Sequence, residues 1–203
     1  MLALATMVPS TPDEELVARC KAGDRHAFGD LVERYQDRIF SLCMRWLGSS
    51  LLAEEVAQDV FISAWRAIPR FRQEARFDTW LRRIAINKCK NKRVYDKRRA
   101  RDKHVDIDEE DDGRPKFQVV HGGRGADASV FQSEASRVLQ GALQELEPEQ
   151  RAIIVMRDLE DLSYEEISEQ LGIPRGTVKS RLHRARGVLT RALSRRVGRE
   201  DVF

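Results

Sequence analysis

The stretch Asp161–Arg186, DLSYEEISEQLGIPRGTVKSRLHRAR, carries two helical patterns separated by a tight turn. Ser163 followed by Glu166 has the spacing of a capping box, in which hydroxyl and carboxylate each satisfy an amide that a helix start leaves unpaired. Tyr164, Ile167, Ser168 and Leu171 then fall on one side at helical spacing, and Gly172 supplies the backbone freedom that ends the helix. Pro174 suits the opening turn of a second helix. In that helix Val178, Leu182, Ala185 and Leu189 make an apolar stripe, while Lys179, Ser180, His183 and Arg184 project from the opposite side. The pattern is that of a helix-turn-helix. Its second helix is expected in a major groove, where Arg or Lys pairs with guanine and short hydroxyls meet bases or phosphates. A solvated basic helix in a bundle shows the same stripe; the cap, Gly172, Pro174 and the basic face together favour DNA.

The chain's 203 residues suit two small domains. Charged residues make up 34% and hydrophobic ones 41%, so two cores are within reach but the surface is heavily charged. The formal net charge of +3 conceals a segregated distribution. Residues 70–103 hold 14 Lys and Arg against 4 Asp and Glu, and residues 172–203 hold 9 against 2, which makes these blocks the candidate nucleic-acid surfaces. Residues 145–170 carry 9 acids and 2 bases, more than a DNA-facing surface tolerates. Cys20, Cys43 and Cys89 are widely spaced among helical apolar positions and read as small core residues. Their odd number and the lack of a CxxC or His-Cys cluster argue against a disulfide framework or a zinc site, and the reading needs no metal or cofactor. The first dozen residues are too short and proline-marked for a signal peptide, and no segment approaches membrane-spanning length. A reducing cytosol, hence a cytoplasmic location, is the expectation.

Working outward toward the N-terminus, residues 1–12 form a loose tail. Asp13 is positioned to cap a short helix with Leu16, Val17 and Cys20, closed by Gly23, and Asp24 to cap a longer one. Phe28, Leu31, Val32, Tyr35, Ile39, Cys43 and Trp46 sustain a helical stripe ending at Gly48. A third helix is expected from about Ser50 to Ile68, stopped by Pro69. The segment Phe71–Phe77 carries no stripe and reads as a loop, after which Asp78 is positioned to cap a fourth helix reaching about Arg99. There Leu81, Ile84, Ala85 and Cys89 point one way, while Arg83, Asn87, Lys90 and Asn91 lie together on the other. Asn is a poor mid-helix choice. Two carboxamides one turn apart on a basic face are either tolerated surface polarity or groups that read base edges and unstacked bases.

From about Ala100 the apolar periodicity stops, and residues 101–132 read as a flexible acidic linker. Asp106–Asp112 is an acid run and Gly122–Gly125 a Gly-Arg patch. The carboxylates could seed a metal site, but without a helix or strand to order them they have no fixed geometry; a solvated run, one that keeps the linker off DNA or occupies a basic channel in a partner, is the simpler reading. Helices resume near Ser133, with Val138, Leu139, Ala142, Leu143 and Leu146 in a stripe. Pro148 can start another, Ile153–Met156 supply much of a second core, and Gly198 ends the last helix.

Ala53–Phe61 with Trp65, Phe77–Asn87 and Gly176–Leu182 together resemble the extracytoplasmic-function sigma factors, small two-domain initiation subunits of bacterial RNA polymerase. The resemblance covers residues 13–100 and 133–195. It implies an all-α fold: a region 2 domain over 13–100, the linker 101–132, and a region 4 domain over 133–203. It further implies that Glu55, Gln58, Asp59 and Phe61 dock on core polymerase, Phe61 as an apolar anchor among polar residues that set register. The Phe71–Phe77 loop would hold a flipped base of the −10 element, with Phe71, Arg72, Phe77, Arg83, Asn87, Lys90 and Asn91 as the −10 set. The −35 set would be Arg175, Thr177, Lys179, Ser180, Arg181, His183 and Arg184. An anti-sigma factor is a further implied partner, in a stress or envelope response. Gln73 stands where family members often place glycine, and the linker is longer and more acidic than the family's pattern.

The competing expectation is a free-standing helix-turn-helix repressor or activator, which explains the last seventy residues and leaves residues 50–93 without a role. A metal-dependent nuclease built on the acid run lacks a fixed ligand set. The first expectation is not an enzyme by itself.

Overall fold

In the computed structural model, residues 11–102 and 133–200 are described, with side chains through 93 and 197. The linker's acid run and Gly-Arg patch lie outside the described residues, as do residues 1–10. Four helices form the first group: α1 (Asp13–Lys21), α2 (Arg25–Leu47), α3 (Ser50–Ala67) and α4 (Phe77–Asp102). Four form the second: α5 (Glu134–Gln144), α6 (Pro148–Ile154), α7 (Tyr164–Leu171) and α8 (Arg175–Glu200). There is no strand among the described residues. None of these helices is long and apolar enough to cross a membrane.

Local chemistry sets most of the boundaries. The Asp24 carboxylate accepts from the amides of His26 (2.9 Å) and Ala27 (3.2 Å), which starts α2. Gly48, at φ 80°, ends it in the left-handed region. A cap at Ser49 starts α3, and a 3-10 turn at Ile68–Arg70, with Pro69 inside it, follows. Ser133 caps α5. The chain widens to a π turn over Val155–Leu159 before α7.

Three expected boundaries differ. Asp13 is the first residue of α1, and its side chain caps nothing; instead the carboxylate accepts from Tyr35 and Arg34 of α2. Asp78 likewise lies inside the first turn of α4 and pairs with Arg38 (2.9 Å) and Arg82 (3.1 Å). In both cases a cross-helix cation outcompetes the local amides, because a charge-assisted bond is about twice as strong as a neutral one. Gly198 does not end α8, which runs through Gly187 and Gly198 to Glu200.

The first core gathers Leu16, Leu31, Ile39, Leu42, Val60 and Leu81 between α1, α2, α3 and α4; the second gathers Leu143, Ile153, Ile154, Met156, Ile167 and Leu182. The two are continuous, because α2 also packs against α6 and the π turn. All three cysteines are buried. Burial pushes the Cys20 thiol up to about 11. Cys89 is raised by its contact with Cys43, 3.7 Å away, and by burial. These thiols are packing groups, as their spacing implied.

Arg151 is a structural residue that sequence reasoning missed. Its guanidinium is buried and donates to the carbonyls of Leu143 (2.7 Å), Gln144 (3.0 Å) and Leu146 (3.3 Å). It thus closes the C-terminus of α5, where unpaired carbonyls and the helix dipole favour a cation.

Candidate nucleic-acid interface

The helix-turn-helix forms as its sequence indicates. Glu166 N–H donates to the Ser163 hydroxyl (3.2 Å), and the Glu166 carboxylate accepts from Ser163 N–H (2.9 Å), so both halves of the capping box are made. Gly172 takes φ 65°, and the Ser168 hydroxyl bonds the Ile173 carbonyl at 2.6 Å to fix the turn. Val178, Leu182 and Ala185 are then fully buried. That anchoring leaves Lys179, Ser180, Arg181, His183 and Arg184 exposed along α8, with Thr177 half-buried. Arg175 is exposed and pairs with Glu165 of α7. These residues together make up the solvent side of α8 opposite its buried stripe.

The second surface lies at the start of α4. Phe71 stacks on Trp80 with ring centroids 4.6 Å apart, and Phe77 lies 5.6 Å from Trp80 and 5.5 Å from Tyr35. Phe71 and Phe77 are 7% and 4% exposed, so they form a floor and do not project. Above them opens a cavity of about 360 Å³, walled by Asp13, Glu14 and Val17 of α1 and by Gln73–Arg76 of the loop. Its size is at the lower end for small-molecule sites. Gln73 sits at φ 58°, so a residue with a side chain occupies the left-handed conformation that glycine adopts without cost. Arg72 is exposed, its nearest carboxylate partner Glu74 at 3.9 Å. Trp80, Arg76 and the α1 acids belong to this surface and were missed from sequence. Trp80 sat inside a recognised motif, whereas the α1 acids arrive only through folding.

Farther along α4, Asn87 and Asn91 are exposed on one side, as expected. The cations beside them are engaged. Arg83 pairs with Glu166 at 2.7 Å, and Lys90 donates to the Gln170 carbonyl. The Glu166 carboxyl is held below its ordinary range by the Ser163 amide first and Arg83 second. Arg82 bridges Asp78 and Glu160. Burial raises the Glu160 carboxyl, and the Arg82 contact opposes that rise.

Along α3, Glu55 is exposed and pairs with Lys92 of α4 at 2.6 Å, while Gln58 and Asp59 are half-buried. Phe61, the expected apolar anchor of this face, is 5% exposed and belongs to the first core, on the same side of the helix as Val60 and Ala64.

The comparisons with known proteins follow this geometry. The family description "Sigma-70 region 2" matches residues 31–101 and "Sigma-70, region 4" matches residues 136–189. The RNA polymerase sigma-H factor of Pseudomonas aeruginosa is 35% identical over 92% of this chain and 96% of its own length. The ECF RNA polymerase sigma factor SigW of Bacillus subtilis is 36% identical over 87% of this chain and 94% of its own. In fold, the chain is similar to the sigma factor RpoE of Bartonella quintana, solved with the anti-sigma factor NepR: TM-score 0.56 and 21% identity, over 82% of this chain and 96% of that one. A free-standing helix-turn-helix regulator leaves the region 2 match unexplained. With both regions matched and relatives aligned over nearly their whole length, this chain belongs to the extracytoplasmic-function sigma factors, the subunits that direct RNA polymerase to promoters.

Proposed function

We propose that the chain divides its promoter reading between two surfaces: the exposed face of α8 reads a −35 element as duplex, and the start of α4 with the 71–76 loop reads a −10 element as single strand. Residues 13–100 then act as region 2 and 133–203 as region 4. The carrying observation is the cavity over Phe71 and Phe77, whose rings Trp80 backs. A base entering it gains aromatic contact worth about 1–3 kcal/mol, against an unstacking cost of a few kcal/mol. That near balance makes strand opening depend on a well-matched −10 sequence. The carboxylates of Glu14 and Glu74 at the rim are suited to accept from base amino groups and unsuited to phosphates, whereas that of Asp13 is held by Arg34 and Tyr35. On α8, Lys179 and Arg181 are placed to meet guanine or phosphate, and Ser180 and Thr177 to meet either.

Glu55, Gln58 and Asp59 meet the core polymerase along α3, with Phe61 supporting that face from beneath. The chain works in the cytoplasm as a non-enzymatic subunit, in a stress or envelope response, and nucleotide addition belongs to the polymerase. Control by an anti-sigma factor fits a relative solved with one.

Run-off transcription tests this reading. Purified chain is added to sigma-free core polymerase on a pool of promoter-bearing DNA, with DNA binding measured in parallel without polymerase. Transcripts that require both proteins, and that Asn87→Ala and Arg181→Ala each reduce, are the expected result. Tight binding of specific duplex by the chain alone, with no transcript, would withdraw the roles given to α3 and α4.

A further inference from the structure

A second cavity, of about 180 Å³, lies apart from the one over Phe71 and Phe77 and takes its walls from both helical groups. Its apolar wall is Trp46 of α2, with Leu171 and Ile173 around the turn of the helix-turn-helix. Its charged wall is Lys90 and Arg93 of α4 and Arg181 of α8, against one carboxylate among the described lining residues, that of Glu149 on α6. Glu149 and Arg181 are exposed and Trp46 is 2% exposed, so the cavity runs from a charged mouth to an aromatic floor. Charge there is out of balance. Arg93 is half-buried and donates to the Pro148 carbonyl at 2.6 Å, but the Glu149 carboxylate is 3.9 Å away, too far for a charge-assisted hydrogen bond. Burial holds the Arg93 guanidinium below its ordinary pKa, and Glu149 only partly opposes that. Arg151, buried nearby, is lowered by its own burial first and by repulsion from Arg93 second. Lys90 donates to the Gln170 carbonyl, a neutral acceptor that leaves its charge standing. Trp46 adds a buried indole N–H with no acceptor among the described residues. Of these polar side chains Glu149 alone is an acceptor, and positive charge exceeds negative in a site partly withdrawn from water.

We propose that this cavity binds a small organic anion, a carboxylate on a compact apolar body, with the carboxylate among Lys90, Arg93 and Arg181 and the body against Trp46, Leu171 and Ile173. A planar guanidinium fits a carboxylate through two parallel hydrogen bonds, and an anion at this position supplies the negative charge that Glu149 supplies only in part. The volume is below the roughly 300 Å³ at which drug-sized sites begin, which limits the body to about one ring. An inorganic anion leaves the apolar wall without a partner, and a neutral aromatic leaves the cations without one. Because the walls come from both helical groups, the binding energy of the ligand favours the arrangement in which the two groups meet, so its presence is communicated to both halves of the chain.

The test is isothermal titration calorimetry of the whole chain with sodium benzoate. The comparison compounds are benzyl alcohol, a ring without the charge, and sodium acetate and inorganic phosphate, charges without the ring. Titration runs through the millimolar range, where even a modest efficiency per atom places a ligand of about nine non-hydrogen atoms. Saturable one-to-one binding of benzoate, about 10-fold or more tighter than that of the other three, is the expected result. Arg93→Gln should weaken benzoate about 10-fold by removing a charge-assisted bond, and Glu149→Gln should tighten it by removing the cavity's own carboxylate. Arg66→Gln, exposed on α3, makes the same charge change away from the cavity and should leave the affinity as it was. If circular dichroism shows Arg93→Gln to lose helix, Arg181→Gln at the exposed mouth takes its place with the same expected direction. Benzyl alcohol binding as tightly as benzoate would overturn the anionic character of the ligand, and acetate or phosphate binding as tightly would overturn the apolar body. No saturable binding of benzoate, or an equal loss in Arg66→Gln, would overturn the site itself.

Discussion

Two helices in this molecule, α4 and α8, are built to the same plan and stand in opposite situations. Each spans 26 residues, with one apolar side and one basic side. On α8 the helix-turn-helix buries Val178, Leu182 and Ala185 and holds Lys179, Arg181, His183 and Arg184 out toward solvent. On α4 the cations Arg82, Arg83, Lys90 and Arg93 each have a partner from the other half of the chain. One residue links the two cases: Glu166 completes the cap of α7, which shapes the reading face of α8, and pairs with Arg83, which closes over α4. The pattern of charge on a helix states which ligand it fits. Whether the face is open depends on what the fold lays against it.

The largest test of this contrast is Leu182→Ala, which removes a side chain buried under α8. It should cost about 2–5 kcal/mol and act first on the second group, reaching the first only through the contact of α2 with α6. The protein's three tryptophans, Trp46, Trp65 and Trp80, all lie in α2, α3 and α4. Urea unfolding should then show helix loss by circular dichroism before the tryptophan signal changes. Coincident transitions would mean that the halves unfold as one unit and would end the description of two separable surfaces.

Arg181→Ala and Lys179→Ala should each weaken −35 duplex binding by about 1–3 kcal/mol if the contact is to a base, and lower the salt dependence by about one charge if it is to a phosphate. Unchanged promoter choice in both would count against the α8 face. Asn87→Ala should cost about 1 kcal/mol, expressed in promoter opening more than in recruitment of polymerase. Equal loss in the two assays would remove Asn87 from the −10 face.

The smallest effect concerns pH. The Glu166 carboxyl lies below its ordinary value in the fold, so its contribution to stability is fully present above about pH 4.5 and is lost as pH falls through the lowered value. Glu166→Gln should flatten that acid limb by a few tenths of a kcal/mol, since the Arg83 pair is partly exposed. An unaltered acid limb would assign the pH dependence to other carboxyls.

Much of the fold was legible because its signals are local. Asp24, the Ser163–Glu166 pair, Gly48 and Gly172 act within one turn of themselves, and each does in the structure what its spacing indicated. The α8 face was legible for the same reason, since a 3.6-residue period separates its two sides without reference to the rest of the chain. Where a residue had a choice of distant partners, local rules failed. Asp13 and Asp78 had the form of caps and were taken by cations of α2 and α4. Phe61, Phe71 and Phe77 sat in recognisable motifs, yet only packing decided that all three face inward. Arg151 counted as a stray base in an acidic block and proved to be the cap of α5.

By itself the sequence determined eight helices among the described residues, a helix-turn-helix with a basic face, and a second basic helix bearing two carboxamides, because caps, breakers and periodicity act over three or four residues. Only the tertiary structure decided which of these faces is open. Arg82 and Glu160 are separated by 78 positions in a chain with 36 Lys and Arg and 33 Asp and Glu, and charge alone does not choose among so many pairings. The choice falls to packing: the apolar surfaces of α2 and α6 have to meet, and once they do, the acids that follow α6 come to lie along the basic edge of α4.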